Sequence, residues 1–243
     1  MQDRYAGDIG DFGKFGLLRA LRAAGLSIGV NWYRTIPFAS ELTREDGRYR
    51  IPQCLFSCDE ELANTLFEIS RPGNPERSVK ALEDARLIDG AVYFSEPVRV
   101  ADRSEWHREA KTALRDCDLV FLDPDNGLLV KSVSPHSVKS VKYAFYKEVG
   151  EYVSTGKSVV IYNHRCRKKW DVYSKSITEQ LRIKSKLPDQ PIRAITFPRF
   201  SVRDYFIVSA TPEHDQRIRS ALESIENSVW RHSGMCASSE INF

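Results

Sequence analysis

The chain has 243 residues, enough for one large α/β domain or two small ones with a substantial buried core. Hydrophobic residues make up 42% and charged residues 28%, and no apolar run approaches the ~18 residues that a membrane helix needs. The net charge of +3 does not by itself demand nucleic acid as the partner. Five cysteines form no CxxC pair, and this odd count without a signal peptide predicts a cytoplasmic protein. Composition leaves the oligomeric state open.

Strand-like and helix-like segments alternate along the chain, which predicts an α/β fold with a mainly parallel, Rossmann-like sheet and helices on both faces. The predicted helices cover residues 12–24, 59–69, 76–88, 103–116, roughly 137–154, 170–186 and a last helix from 211. The predicted strands cover residues 26–33, 91–94, 119–122, 158–162, 192–197 and 204–210. The last two strands flank a short polar turn, which predicts an antiparallel hairpin at a sheet edge.

The chain shows no internal repeat and no low-complexity linker, so we expect a single α/β domain over residues 1–232. The segment of about 44–90, between the first two strands, is predicted to be a helical insertion over the sheet. Small and polar residues dominate 233–243, and this composition predicts a mobile tail.

The strongest local signal lies in the segment Asp118–Gly127. Its apolar residues 119–122 are continuous, as in a central parallel strand that is covered on both faces. Pro124 then ends the strand, and the three residues after it are typical of a turn. Ligands of open α/β sheets bind outside the carboxyl ends of the strands, so Asp123 and Asp125 are candidate site residues. Alternatively, these carboxylates only cap the next helix.

A second polar cluster follows the strand of residues 158–162. A histidine and an arginine stand at the end of this strand, and a basic run with a tryptophan comes next. The candidate substrate-binding residues here are His164, Arg165, Arg167, Lys168 and Trp170. Basic side chains beside an aromatic ring suit the phosphates and a stacked base of RNA or DNA. The alternative is a loop histidine followed by a solvated helix start.

Three segments together resemble a known family. Residues 5–15 read YAGDIGDFGKF, residues 123–126 read DPDN at a strand end, and Thr155-Gly156 precedes another apolar strand. In this order they resemble the large-subunit rRNA adenine-N6 methyltransferase J family. The positions that match its N-terminal pattern are Ala6, Gly7, Asp11 and Lys14. Where that family has Asp-Pro-Pro-Tyr, this chain has Asn126 in place of the tyrosine.

The resemblance implies a class I methyltransferase fold and transfer of a methyl group from S-adenosylmethionine to an adenine amino group of RNA or DNA. Asp123 would accept the amino hydrogens and direct the nitrogen lone pair toward the methyl group, so that orientation in a dry pocket supplies most of the catalysis. The implied catalytic residues are Asp123, Pro124, Asp125 and Asn126. The implied cofactor-binding residues are Tyr5, Gly7, Asp11, Lys14 and Asn31.

The turn after the first strand departs from the pattern. Binding of S-adenosylmethionine usually uses a glycine-rich turn there, because glycine lets the backbone approach the ligand closely. This chain has Trp32 and Tyr33 at that place. The glycines at 7, 10, 13 and 16 could supply the close approach instead, but their spacing favours tight packing of the first helix against the sheet.

Two other functions stay open. Asp123, Asp125 and His164 could share one crevice, hold Mg²⁺ and activate a water molecule, as in a metal-dependent nuclease or phosphodiesterase. Alternatively, the fold has no catalytic role, and Lys14 together with residues 165–169 binds nucleic acid or a partner. That binding would depend steeply on salt concentration if the ligand were nucleic acid.

Overall fold

The computed structural model describes residues 1–38, 41, 49–165 and 168–239. The helices are α1 (Ile9–Ala23), α2 (Glu60–Ile69), α3 (Val79–Asp84), α4 (Arg103–Ala113), α5 (Tyr146–Ser154), α6 (Trp170–Lys184), α7 (Pro212–Glu226) and α8 (Val229–His232). The strands are β1 (Ile28–Asn31), β2 (Val92–Phe94), β3 (Leu119–Leu122), β4 (Gly127–Leu128), β5 (Tyr143–Ala144), β6 (Ser158–His164), β7 (Ile192–Phe197), β8 (Arg203–Val208) and β9 (Ala237–Ser239). Short 3-10 helices cover Asp3–Tyr5, Gln53–Cys58 and Val138–Lys142.

Seven strands form one mixed sheet in the order β2-β1-β3-β6-β8-β7-β9. The first four of these are parallel to one another, whereas β8 runs antiparallel to both of its neighbours and β9 runs antiparallel to β7. The α/β prediction with a C-terminal antiparallel hairpin is therefore confirmed. The hairpin does not lie at the edge of the sheet, because β8 pairs with β6 and β9 covers β7.

Helices cover both faces of the sheet, as predicted. Because neighbouring residues of a strand point to opposite faces, Leu119 and Phe121 pack in one core while Val120 and Leu122 pack in the other. The first core includes residues of α1, α2, α3, α7 and α8, and the second includes residues of α4, α5 and α6. Within the described part of the chain, no helix has both the length and the apolar character that a bilayer span requires.

The glycines of α1 serve packing, as their spacing predicted. A Cβ atom at Gly13 would lie 2.7 Å from the Phe197 ring, and one at Gly16 would lie 2.3 Å from the Trp230 ring. Such separations are well inside van der Waals contact, so only glycine lets α1 lie this close to β7 and α8.

The prediction of a single helix over residues 137–154 is wrong. A 3-10 helix is followed by β5, and α5 begins only at Tyr146. The break has a tertiary cause, since β5 pairs with β4 in a separate two-stranded sheet. The helix then restarts where the Glu148 side chain accepts a hydrogen bond from the Phe145 backbone amide at 2.9 Å.

The C-terminal segment also differs from its prediction. Residues 237–239 form β9, and Met235 and Cys236 are buried in the core, so this part of the predicted tail belongs to the fold. The remaining residues, 240–243, lie outside the described residues. The predicted insertion over about 44–90 contains one 3-10 helix together with α2 and α3. Its residues 44–48 lie outside the residues that the structure describes.

Candidate functional site

A cavity of about 340 Å³ lies at the sheet edge where β3 and β6 end and β8 begins, beneath the start of α1. The predicted site residues that line it are Tyr5, Asp11, Lys14, Asp123, Pro124, Asp125, Asn126 and His164. Lining residues that the sequence reasoning did not select are Met1, Asp8, Gly10, Glu41, Tyr49, Lys142, Tyr162, Ser201, Arg203 and Tyr205. The fold thus brings the N-terminal segment to the end of the central strand.

A buried lysine joins two carboxylates beside this cavity. The Lys14 ammonium lies 2.7 Å from Asp11 Oδ1 and 2.7 Å from Asp123 Oδ2, and the Lys14 and Asp123 residues are each only 4% exposed. Burial opposes the charge of Lys14, but Asp11 and Asp123 outweigh it and raise the lysine pKa. Burial raises the pKa of Asp123 in spite of the neighbouring ammonium. Lys14 therefore holds the Asp123 carboxylate in one position.

Asp8 places a second acidic group in the cavity. One carboxylate oxygen caps α1 by accepting hydrogen bonds from the Gly10 and Asp11 amides at 2.7 and 3.1 Å. The other oxygen lies 3.6 Å from an Arg203 guanidinium nitrogen. Burial, followed by repulsion from Asp11, raises the pKa of Asp8 to about 6. A carboxyl group that titrates this close to neutrality suits general acid–base catalysis.

The Asp125 carboxylate anchors the N-terminal segment. It lies 3.0 Å from the Met1 amine and accepts hydrogen bonds at 2.9 Å from both the Gln2 amide group and the Thr35 hydroxyl. Burial opposes its charge, but the amine and Lys142 outweigh burial and lower the pKa of Asp125. Asp125 is therefore an ionised group whose hydrogen-bonding capacity is used within the protein.

The turn after Asp125 is locked against β6. Gly127 has a φ of +104°, and a Cβ atom there would lie 2.0 Å from the Asn163 side-chain oxygen. That oxygen accepts a hydrogen bond from the Leu128 amide at 2.7 Å. Only glycine fits this combination of backbone conformation and close approach.

The three residues predicted to bind Mg²⁺ are not assembled as a metal site. Asp123 is paired with Lys14, and Asp125 is paired with the N-terminal segment. The His164 ring lies 3.4 Å from the Tyr162 hydroxyl. Across residues 1–38, 41, 49–165 and 168–239, no three His, Cys, Asp or Glu side chains form a group that could hold a metal ion.

The basic run after β6 is mostly turned away from the cavity. The Arg165 Nε donates a hydrogen bond to the Asp204 carboxylate at 2.9 Å, and its Nη2 donates one to the Thr196 hydroxyl at 2.9 Å. The Trp170 ring covers the Arg165 guanidinium at 4.4 Å and stacks on Phe206. Arg165 and Trp170 thus make internal contacts and do not line the cavity, and their predicted role in substrate binding stays a prediction.

Two candidate residues of the basic run, Arg167 and Lys168, remain. Lys168 is exposed and does not line the cavity. Arg167 lies outside the described residues, and its predicted role stays a prediction.

Two predicted cofactor-binding residues also lie away from the cavity. Gly7 has a φ of +79° and packs against α2, where a Cβ atom would lie 2.6 Å from the Leu66 carbonyl oxygen. Its amide supports the site indirectly, by donating to Asp11 at 2.8 Å. Asn31 is fully buried, and its side chain contacts the Tyr152 hydroxyl at 3.4 Å and the Tyr33 amide at 3.3 Å. These contacts lie on the opposite face of the sheet.

Three residues of the cavity wall, Lys142, Arg203 and Tyr205, carry no local sequence signal that would identify them as site residues. Lys142 lies in a 3-10 helix and forms an ion pair with Glu41 beside the cavity. Arg203 begins β8 in a polar turn, where a charged residue is common. The strand position of Tyr205 identifies it only as a core residue, and burial raises its pKa. All three reach the cavity through pairings with distant segments.

The cavity presents charges of both signs beside aromatic rings. The carboxylates of its lining include Asp8 and Asp123, and the cations include Lys14 and Arg203. Such a mixed lining suits a zwitterionic or dipolar ligand better than a simple anion or cation. No family model matches the sequence, and no curated protein matches it. The function of this site is therefore inferred from its own geometry and charge.

Proposed function

We propose that the cavity binds S-adenosylmethionine and that the protein transfers the methyl group to an amino nitrogen of a nucleic-acid base. The observation that carries this proposal is the position of Asp123. Its carboxylate stands at the carboxyl end of β3, a central parallel strand, where ligands of open α/β sheets bind. It is buried, held by Lys14 and part of the cavity wall. A single fixed acceptor of this kind suits an amino group.

The chemistry of the lining fits the cofactor. S-adenosylmethionine carries an ammonium and a carboxylate at one end, a sulfonium at its centre and an adenine ring at the other end. Asp8 suits the ammonium, and the Arg203 guanidinium suits the carboxylate. Aromatic faces attract sulfonium and adenine groups. The tyrosines that line the cavity are Tyr5, Tyr49, Tyr162 and Tyr205.

The start of α1 leaves room for the cofactor, whereas the turn after β1 does not. On the β1 side, Trp32 and Tyr33 are fully buried, and their carbonyl oxygens accept hydrogen bonds from the Met1 amine at 3.0 and 2.9 Å. On the α1 side, Gly10 lacks a side chain, and a Cβ atom there would lie 2.6 Å from the Arg203 guanidinium. Glycine at this position lets Arg203 cross the start of α1 and reach the cavity.

The residues of the chain orient the acceptor and remove a proton. When bound, the cofactor supplies an electrophilic methyl group. Asp123 accepts a hydrogen bond from the target amino group and so directs the nitrogen lone pair, while Lys14 keeps the carboxylate from rotating. The proton that the nitrogen releases can pass to the same Asp123 carboxylate, whose pKa is raised by burial.

Methyl transfer from radiolabelled S-adenosylmethionine to single-stranded RNA and DNA tests the proposal. We expect Asp123→Asn to lower transfer by about a hundredfold or more, because the amide presents donors as well as an acceptor to the target amino group. Lys14 keeps its Asp11 partner in this variant, so the fold should be retained. Asp116→Asn, which changes an exposed carboxylate after α4, is the matched control. Equal labelling by the wild type and by Asp123→Asn would contradict the proposal.

A further inference from the structure

A second cavity, of about 480 Å³, adjoins the first one at Tyr49, which lines both. Three arginines, Arg50, Arg71 and Arg77, line it together with small and polar residues of the loop after α2. In the part of the chain that the structure describes, no carboxylate lines this cavity. We refer to it as the arginine groove. Its uniform positive charge contrasts with the mixed charges of the Asp123 cavity.

The arginines differ in how firmly they are held. Arg50 is exposed, and Arg71 lies 3.4 Å from Glu68 in an exposed ion pair. Exposed ion pairs of this kind contribute little and exchange readily for another anion. Arg77 is half-buried, and its Nε donates to the Ala6 carbonyl oxygen at 2.8 Å. It therefore ties the groove to the segment that leads into α1 and into the Asp123 cavity.

An aromatic pair stands at the junction of the two cavities. The rings of Tyr49 and Phe200 lie 5.5 Å apart, and the two residues are 49% and 59% exposed. Phe200 has a φ of +62°, a left-handed conformation that disfavours a side chain of this kind. A ring that is more than half exposed gains little from burial and is available to contact a ligand.

We propose that the arginine groove binds the phosphates of a single nucleic-acid strand while Tyr49 and Phe200 stack a neighbouring unpaired base. A guanidinium matches a phosphate group in shape and charge, and aromatic faces stack on bases of any sequence. A single strand is favoured over a duplex because base stacking within a duplex covers the faces that the two rings would contact. The entry of the target base into the Asp123 cavity rests on the proposed function, whereas strand binding by the groove stands apart from it.

Fluorescence polarisation with a labelled hexameric single-stranded DNA tests the groove. We expect the double variant Arg50→Gln/Arg71→Gln to lose affinity by about tenfold or more. The slope of the logarithm of the association constant against the logarithm of salt concentration is negative, and its magnitude should fall by about 1.4, since each lost contact to a single strand removes about 0.7. The matched control is Arg108→Gln/Arg115→Gln, which removes two exposed arginines elsewhere and should leave both quantities unchanged. Equal losses in both double variants would overturn the proposal.

Replacing Phe200 separates a binding role from a structural one. Phe200→Gly removes the ring and relieves the left-handed backbone, so the melting temperature should hold or rise. The same change should weaken binding of the hexamer by about fivefold or more. A lower melting temperature with unchanged affinity would overturn the stacking role.

Two further measurements separate this proposal from the proposed function. Adenosine monophosphate that competes as well as the hexamer, at equal nucleotide concentration, would overturn strand binding by the groove. Groove-dependent hexamer binding without any methyl transfer would support the groove and count against the methyltransferase proposal. Methyl transfer that survives Arg50→Gln/Arg71→Gln at low strand concentration would count against the groove alone.

Discussion

Two buried ionic clusters lie on opposite faces of the sheet and differ in what surrounds them. On the α1 face, Lys14 joins Asp11 to Asp123. On the other face, Arg103 forms two hydrogen bonds with Glu148, at 2.6 and 2.9 Å, and the Tyr33 hydroxyl donates to the same carboxylate at 2.9 Å. Burial raises the pKa of Tyr33, just as it raises that of Asp123. By burial and pKa alone, the two clusters look alike.

The two clusters differ in whether they line a cavity that a ligand could enter. The Arg103 guanidinium lies 4.8 Å from the Trp106 ring and 4.3 Å from the Phe145 ring, so aromatic side chains enclose the second cluster. None of its three residues lines the Asp123 cavity, whereas Lys14, Asp11 and Asp123 all do. A perturbed pKa therefore marks a functional site only where a ligand can reach the group. We expect the enclosed cluster to support stability and the accessible one to support binding.

The largest expected effect comes from the enclosed cluster. Glu148→Ala leaves the Arg103 charge buried without its carboxylate and removes the acceptor for Tyr33. The free energy of unfolding, measured by urea denaturation, should fall by about 3–5 kcal/mol. Asp123→Asn should cost less than half as much, because Lys14 keeps Asp11 as a partner. A greater loss for Asp123→Asn than for Glu148→Ala would break the comparison.

A smaller loss is expected at the turn that positions the accessible cluster. Gly127→Ala combines an unfavourable φ of +104° with a clash against the Asn163 side chain, and should lower the unfolding free energy by about 3 kcal/mol. Gly73→Ala is the control, since Gly73 also has a positive φ but has no atom within 4 Å of the added Cβ. It should cost only about 1 kcal/mol of backbone strain. Similar losses at both positions would show that the turn is not locked against β6.

The smallest of these effects depends on pH. The pKa of Asp8 rises from 3.8 to about 6 on folding, so the folded protein binds more protons than the unfolded chain between those values. Because of this raised pKa, the free energy of unfolding falls by about 2–3 kcal/mol as the pH increases from about 4 to 6.

Asp8→Asn keeps a capping side chain and removes this titration. We expect the variant to be more stable than the wild type at pH 7 and to lose that advantage near pH 4. The unfolding free energies of both proteins, measured across this range, check the expectation. A constant difference between them would contradict the raised pKa of Asp8.

Part of the site could be predicted because its signals are local. The apolar run of β3, followed by Pro124 and by turn residues, predicted both a strand and its end, and the structure has both. The meeting of Lys14 with Asp123 joins residues 109 positions apart, and no local pattern contains that information. The resemblance of the N-terminal segment to a family implied that both residues serve one site. Composition and spacing alone did not.

Other features of the site depend on tertiary partners that no local pattern contains. Arg165 and Trp170 fit the pattern of a nucleic-acid contact, but Arg165 pairs with Asp204, 39 residues away, and Trp170 covers that pair. Asp8 and Arg203 were missed because charged residues at a helix start and in a turn are common in any soluble protein. Their pairing across the cavity distinguishes them, and it depends on the position of β8 next to β6.

Calorimetric titration with S-adenosylmethionine tests the central claim most directly. The wild type should bind the cofactor saturably and one-to-one. Asp8→Asn should weaken binding by about tenfold or more, because the carboxylate proposed to bind the cofactor ammonium is lost. Glu148→Gln, in the enclosed cluster, should leave the affinity of the folded protein unchanged. No saturable binding to the wild type, or equal weakening by the two variants, would contradict the assignment of the Asp123 cavity as a cofactor site.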